Sequence, residues 1–286
     1  MVRIEENKLL KLAAFSDGDE GGNPAGVHIT DKMPSDAEML AIAADIGYSE
    51  TAFLEPMGQD NSQWRVRYFS PKVEVPFCGH VTIALTAALA EHTGQNHFAL
   101  QLNEASITTS AAYKDGHIQA SFVSPETSSR MADHEAINAV CHLFGLSAHQ
   151  LDKRLEPAFI SAGAEHFLLA LKHRSDLADM EYDFDQGVEV MTKFGMFTIM
   201  LVWREASTIF HVRNAFAFGG VVEDPATGAA AAALTGHLNK LGELAGDSVS
   251  LIQGEDMGMR SVIHAKAGAA PGDGVTVSGS VRRISG

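Results

Sequence analysis

Two stretches of this chain repeat each other. Shifting residues 73–89 by 149 positions superposes Val73 on Val222, Glu74 on Glu223, Pro76 on Pro225, Gly79 on Gly228, Ala84 on Ala233, Leu85 on Leu234, Thr86 on Thr235 and Leu89 on Leu238. That is eight identities in 17 aligned positions, and the Val, Glu, Pro and Gly matches all precede the run that reads as a helix. The segments Gly79–Glu91 and Thr227–Leu241 are apolar on nearly every helical face, so each must be enclosed by other structure. The repeat therefore predicts a duplicated unit of strand, acidic-proline turn, glycine and buried helix.

The rest of the chain reads as alternating strands and helices around these two segments. Strand character appears at 9–15, 25–29, 51–54, 63–69, 97–102 and 117–123, the fourth alternating Trp64, Val66 and Tyr68 against Arg65 and Arg67. Ser35 is placed to cap a helix over 36–46, and Met39, Ile42 and Ala43 give it helical spacing. The polar stretch 124–129 is the expected linker, with a new helix near Asp133. Further strands are expected at 157–160, 166–171, 197–203, 208–212, 249–253, 261–265 and 275–281. These readings predict domains over 1–125, with its central helix at 79–91, and 126–286, with its central helix at 227–241. The last strand is free to return to the first domain.

Charge and length narrow the function. Lys and Arg total 21 against 36 Asp and Glu, a formal net charge of −15 that repels nucleic acid and anionic membrane surfaces at long range. Apolar runs such as Val81–Ala90 fall well short of the roughly 20 residues a membrane helix needs. Glu5 and Glu6 sit where a signal peptide would carry positive charge. With two cysteines, Cys78 and Cys141, and no CxxC, neither a disulfide framework nor a zinc cage is indicated, and a cytoplasmic location is expected.

A glycine opening a helix exposes backbone N–H groups, and the positive end of the helix dipole favours an anion there. The two repeats differ in the flanking polar residues: His80 follows Gly79 where Ala229 follows Gly228, and Asp224 stands where the first repeat has Val75. Broken symmetry at matching positions points to function.

Across these positions the chain resembles the PhzF-like family. The residues that carry the resemblance are Gly22-Asn23-Pro24-Ala25, Ser49-Glu50-Thr51, Arg67 through Pro71, Glu74 with Pro76-Phe77-Cys78-Gly79-His80, Glu223 through Gly228, and Gln253-Gly254-Glu255 with Met257-Gly258. The ordered set runs from 22 to 258. It implies the diaminopimelate epimerase-like fold of the α/β (α+β) class: two similar domains, each a curved, mostly antiparallel sheet around a central helix, related by a pseudo-twofold with the site between them. It also implies a homodimer and an isomerase that moves a proton on a small carboxylate-bearing substrate without metal or other cofactor. By this similarity Glu50 is the general acid/base, His80 and Asp224 complete the catalytic set, and Asn23, Cys78, Gly79, Gly228 and Ala229 contact substrate. Ala229 departs from the serine that usually follows the family's PATG motif.

Plainer readings stand beside these. Glu50 as a strand-end residue, His80 as a helix-start packing residue and Asp224 as a turn residue before Pro225 are the structural alternatives. Cys78 falls where related epimerases place a catalytic thiol, so a Cys78-dependent amino-acid or hydroxy-acid epimerase or racemase is the competing activity. Its register partner, however, is Thr227 rather than a second thiol. A catalytically silent metabolite-binding protein is the other alternative. Gly21-Gly22-Asn23-Pro24 reads as a turn placing Asn23 at the edge of the cleft and not as a phosphate loop. Cys141 reads as core. Asp179, Glu181, Asp183 and Asp185 read as a solvated face, because Phe184 stands where a calcium loop requires glycine. Thirteen scattered histidines show no paired metal spacing.

Overall fold

The computed structural model describes residues 8–58, 60–114 and 116–284. It divides into two compact units, one of Met1–Val123 with Ser278–Gly286, the other of Ser124–Val277.

The first unit contains β1 (Lys8–Ser16), β2 (Asn23–Ile29), α1 (Asp36–Ile46), β3 (Thr51–Pro56), β4 (Gln63–Phe69), β5 (Glu74–Val75), α2 (Gly79–Thr93), β6 (His97–Gln101), β7 (Ser106–Lys114) and β8 (His117–Val123). β1 and β2 form an antiparallel hairpin, and β2 runs parallel to β3 with α1 between them. β3 pairs antiparallel with β4, and β4 with the short β5. After α2 the chain returns as β6, parallel to β4, and continues antiparallel through β7 and β8. α1 starts and stops where its sequence says it should: Ser35 and Glu38 form a capping box, and Gly47 closes the helix in the left-handed conformation.

The second unit holds β9 (Ser128–Met131), α3 (His134–Leu143), β10 (Ala158–Ser161), β11 (Glu165–Leu171), α4 (Arg174–Ala178), α5 (Phe184–Phe194), β12 (Thr198–Ala206), β13 (Ile209–Ala215), β14 (Glu223–Asp224), α6 (Gly228–Leu241), β15 (Ser248–Gln253) and β16 (Ser261–Lys266). Its pairings repeat those of the first. β10 and β11 are antiparallel, β11 and β12 parallel across α4 and α5, and β12, β13 and β14 successively antiparallel. α6 then leads to β15, parallel to β13, and β16, antiparallel to β15. The closing strand β17 (Thr276–Arg283) pairs with β1 through Leu12–Arg283, Ala13–Arg282 and Ala14–Val281. This is the mostly antiparallel, helix-centred fold of the diaminopimelate epimerase type.

Enclosure of the central helices is nearly complete. From His80 to Ala90 every residue of α2 is buried, and the helix packs on β1, β2, β3, β7 and β8. α6 is buried from Ala230 to Leu238 and packs on β9, β10, β11, β15 and β16. Buried threonines inside them are satisfied locally: Thr86 donates to the carbonyl of Thr82 and Thr235 to that of Ala231. α6 is built of small residues because its neighbours come close. A Cβ at Gly236 would collide with the Thr127 side chain.

The repeat extends to the arginine partners of the aligned Glu74 and Glu223. Arg67 on β4 binds Glu74 on β5 (Nη2–Oε2 2.6 Å), and Arg213 on β13 binds Glu223 on β14 at the same distance. Phe69 is register partner to Glu74, and Ala215 to Glu223, so the two pairs occupy equivalent places. The guanidinium of Arg67 holds the Glu74 carboxyl below its ordinary value.

Three sequence expectations are refined. α2 continues to Thr93, and Thr227 is the N-cap of α6 rather than its first residue. Asp183 caps α5 by accepting from the Gln186 amide, so the acidic stretch is partly a helix start. Cys141 is half-buried against the α3–α5 core, where burial pushes its thiol pKa up. Among the described residues no helix is long and apolar enough to cross a membrane.

Candidate active site

Three of the expected residues meet at the start of α2. Glu50 sits just before β3, Cys78 is the N-cap of α2, and His80 is its second residue. The fold brings them together because β3 and β4 are paired, β4 carries β5, and β5 delivers the chain to the helix. Cys78 Sγ lies 3.5 Å from Glu50 Oε2 and 3.2 Å from His80 Nδ1. His80 Nε2 lies 3.7 Å from Glu50 Oε2 and 3.5 Å from Ser49 Oγ. A thiol has one proton, so Cys78 can donate to Glu50 or to His80 but not to both at once.

Burial is graded across this cluster. His80 is buried, with 6 % of its side chain exposed, while Glu50 keeps 19 %, so the carboxylate is the more accessible of the two. Glu50, Cys78 and His80 also offer ligand atoms within 4.8 Å of one another, the only such trio among the described residues. The two imidazole nitrogens face different neighbours, Nδ1 the thiol and Nε2 Ser49 and Glu50.

Beneath the cluster, the Thr82 hydroxyl donates to the Cys78 carbonyl (2.7 Å) and is itself 2.8 Å from the Tyr68 hydroxyl. Thr82 has spent its one proton, so Tyr68 is the donor between them. Burial pushes the Tyr68 pKa up, which keeps that proton in place. Phe77 packs edge-on against Tyr68 and Phe122. A Cβ added at Gly79 would stand 3.3 Å from the Phe122 ring, so glycine lets that ring pack closely on this helix start.

Neither central helix has a side-chain cap or an acidic residue in its first turn, whereas α1, α3 and α5 are capped by Ser35, Asp133 and Asp183. The first amides of α2 and α6 are thus left for another acceptor.

The second unit places Asp224 at the end of β14, Thr227 as the α6 cap, and Gly228 and Ala229 in the first turn. Thr227 Oγ1 donates to Asp224 Oδ2 (2.6 Å). Gln253 Nε2 donates to the Asp224 carbonyl (2.6 Å) and to Thr227 Oγ1 (3.0 Å). In the sequence Gln253 stands out only as part of the Gln253-Gly254-Glu255 motif. Its neighbour Gly254 has φ +71°, and a Cβ there would lie 2.8 Å from the Pro225 carbonyl oxygen, so only glycine lets the loop approach this turn. Asn23, expected at the cleft edge, opens β2 opposite Ala14 and is 2 % exposed.

Comparison with known proteins decides the family. The model of the phenazine biosynthesis-like proteins, PhzC-PhzF, matches residues 12–282. The chain belongs to the PhzC-PhzF family. An uncharacterized isomerase of Mesorhizobium japonicum is 30 % identical over 259 residues, 85 % of this chain and 84 % of the relative. The trans-2,3-dihydro-3-hydroxyanthranilate isomerase of Pseudomonas fluorescens is 28 % identical over 262 residues, 90 % and 88 % of the two chains. A predicted epimerase of Pseudomonas aeruginosa superposes with a TM-score of 0.83 at 25 % identity, covering 98 % of each chain. As a member of this family the chain is an isomerase, and Glu50, Cys78 and His80 lie with ligand atoms within 4.8 Å of one another.

Proposed function

We propose that this isomerase moves a proton between carbons of a small carboxylate-bearing substrate, using the Glu50 carboxylate as the carrier and no cofactor. The observation that carries this reading is the Glu50–Cys78–His80 network at an uncapped helix start. Glu50 takes a proton from an activated carbon, and the C–H electron pair moves into the substrate's conjugated system. The protonated carboxyl then returns the proton to another carbon, so the group ends as it began and nothing is oxidised or reduced. His80 and Asp224 are the remaining polar participants in the reading. Asn23, Cys78, Gly79, Gly228 and Ala229 are its substrate contacts.

A carboxylate in the substrate is supported by the uncapped starts of α2 and α6, each worth about 0.3–1 kcal/mol to an anion when exposed and up to ~2 when partly buried. The named substrate of the Pseudomonas fluorescens relative is itself an anthranilate. A cytoplasmic homodimer fits the same reading, and light scattering of the purified protein checks the dimer.

The test is incubation with candidate carboxylic acids in deuterium oxide, followed by NMR or mass spectrometry. Incorporation of deuterium at carbon, lost in Glu50→Gln, supports the reading. Exchange that persists in Glu50→Gln but disappears in Cys78→Ala would replace it with the thiol-dependent epimerase, for which the 3.2 Å thiol–imidazole contact is the favouring observation.

A further inference from the structure

A second set of buried polar groups runs through the second unit and ends at Asp224. His166 Nδ1 lies 2.8 Å from Thr198 Oγ1, and Thr198 Oγ1 donates to Asn214 Oδ1 at 3.0 Å. Asn214 Nδ2 donates to Gln253 Oε1 at 3.4 Å, and the same oxygen accepts the Thr227 amide at 3.1 Å. Gln253 Nε2 and Thr227 Oγ1 then complete the path to Asp224. His166, Thr198, Asn214 and Gln253 are fully buried, at 0 % exposure, and Thr227 is 7 % exposed.

Proton counting gives the chain a direction. Thr198 has one hydroxyl proton and uses it on Asn214, so the imidazole must be the donor to Thr198. His166 is then neutral with its proton on Nδ1, and burial, which takes its pKa down to about 3, agrees. Neither amide can be turned over. Reversing Gln253 would set its NH2 against the Thr227 amide, and reversing Asn214 would set its carbonyl oxygen against Gln253 Oε1, which the Thr227 amide holds as an acceptor. Every side-chain link therefore donates toward Asp224, whose Oδ2 is the terminal acceptor, while the Thr227 amide donates back to Gln253 Oε1 and anchors that side chain.

We propose that His166, Thr198, Asn214, Gln253 and Thr227 form a one-way positioning relay that fixes the Asp224 carboxylate and the first turn of α6 for the proton transfer. The inference rests on the reading of Asp224 as a participant in that chemistry. Buried polar groups are costly, and an apolar set of the same volume would serve packing at least as well. This chain does not close on itself but ends at a candidate site residue. The first unit contains the parallel case. Tyr68 follows the repeated Arg67 as Asn214 follows Arg213, and its hydroxyl path through Thr82 ends at the Cys78 carbonyl, the cap of α2. Different side chains at matching positions thus feed the starts of both central helices.

The test uses Thr198→Val, which keeps shape but removes the hydroxyl, and Thr198→Ser, which restores it. The expected result is a fall in kcat for carbon-proton exchange of about tenfold or more, the scale of a sub-ångström to ångström misplacement, with KM within about twofold and recovery in Thr198→Ser. A folded Thr198→Val protein with a lower Tm but kcat within about twofold of wild type overturns the relay. NMR gives a readout independent of turnover. The relay requires the Nδ1–H tautomer at His166 and a carboxyl 13C shift of Asp224 that moves in Thr198→Val. An Nε2–H tautomer or an unmoved Asp224 signal overturns it, even if no substrate is turned over and the proposed activity itself fails. Should Thr198→Val not fold, Asn214→Asp breaks the link to Gln253 while keeping the acceptor for Thr198, and the same readings apply.

Discussion

Glu50 Oε2 stands 3.7 Å from His80 Nε2, and the carboxylate of this pair is the more exposed partner. The imidazole is held from its other side by the Cys78 thiol at 3.2 Å, so it cannot turn away without breaking that contact. The arrangement gives a fixed buried imidazole beside a more exposed carboxylate. On the proposed reading, a proton exchanged with substrate passes through Glu50.

Replacing Glu50 by Gln keeps the shape and removes the ability to accept a proton. Loss of exchange in deuterium oxide by about 10²-fold or more is expected, the scale of general acid/base catalysis. The protein should keep its melting temperature, since a partly exposed strand-end carboxylate contributes little to the core. Exchange within a few-fold of wild type would show that another group carries the proton.

Cys78→Ala is expected to cost far less turnover than Glu50→Gln. The position equivalent to Cys78 in the second unit is Thr227, whose hydroxyl is committed to Asp224 at 2.6 Å, so no second thiol is available for a two-thiol mechanism. Iodoacetamide should label the wild type at this residue and leave Cys78→Ala active. Near-complete loss of exchange in a folded Cys78→Ala protein would instead favour the epimerase reading.

Stability should fall in acid over a defined window. Burial takes the His166 pKa down to about 3 and that of His237 to about 4, both from an ordinary 6.5. Below pH 6.5 the unfolded chain takes up protons that the native state refuses, so stability decreases as pH falls toward those native values. The slope for His166 alone is at most about 1.4 kcal/mol per pH unit, and above pH 7 the effect vanishes. Urea unfolding at pH 7.5, 6.5, 5.5 and 4.5 measures this. A midpoint that does not change across that range would mean these histidines are not buried neutral.

What the sequence made legible follows from what each element advertises. α1 has its cap and spacing written in Ser35, Glu38 and Met39, and β4 alternates visibly, so both emerge with the expected bounds. β5 and β14 are two residues long and offer no periodicity to read. β7, Ser106–Lys114, is dominated by small and polar residues, and α5 was masked by acidic residues of which Asp183 is a cap. At the site, motif and broken symmetry pointed to Glu50, His80 and Asp224. The path from His166 to Gln253 was invisible, because it joins β11, β12, β13 and β15 through side chains whose neighbours are set only by strand register.

The duplicated Arg–Glu pair allows one more comparison, in which the molecule supplies its own control. Arg213 and Glu223 keep 12 % and 5 % of their side chains exposed, against 18 % and 26 % for Arg67 and Glu74. Arg213 Nη1 also donates to the carbonyls of Ala178 at 2.8 Å and Met180 at 3.2 Å, so it cannot leave when its carboxylate is removed. Arg67 has a second carboxylate, Asp36 at 2.7 Å, to retain its charge balance. Glu223→Ala should therefore cost about 3–5 kcal/mol, the penalty for stranding a buried charge, and Glu74→Ala clearly less. Urea unfolding of the two variants measures the difference. Equal losses would mean that burial does not distinguish the pairs. A larger loss for Glu74→Ala would mean that the Asp36 contact does not compensate, and that the exposed pair is the one holding its turn in place.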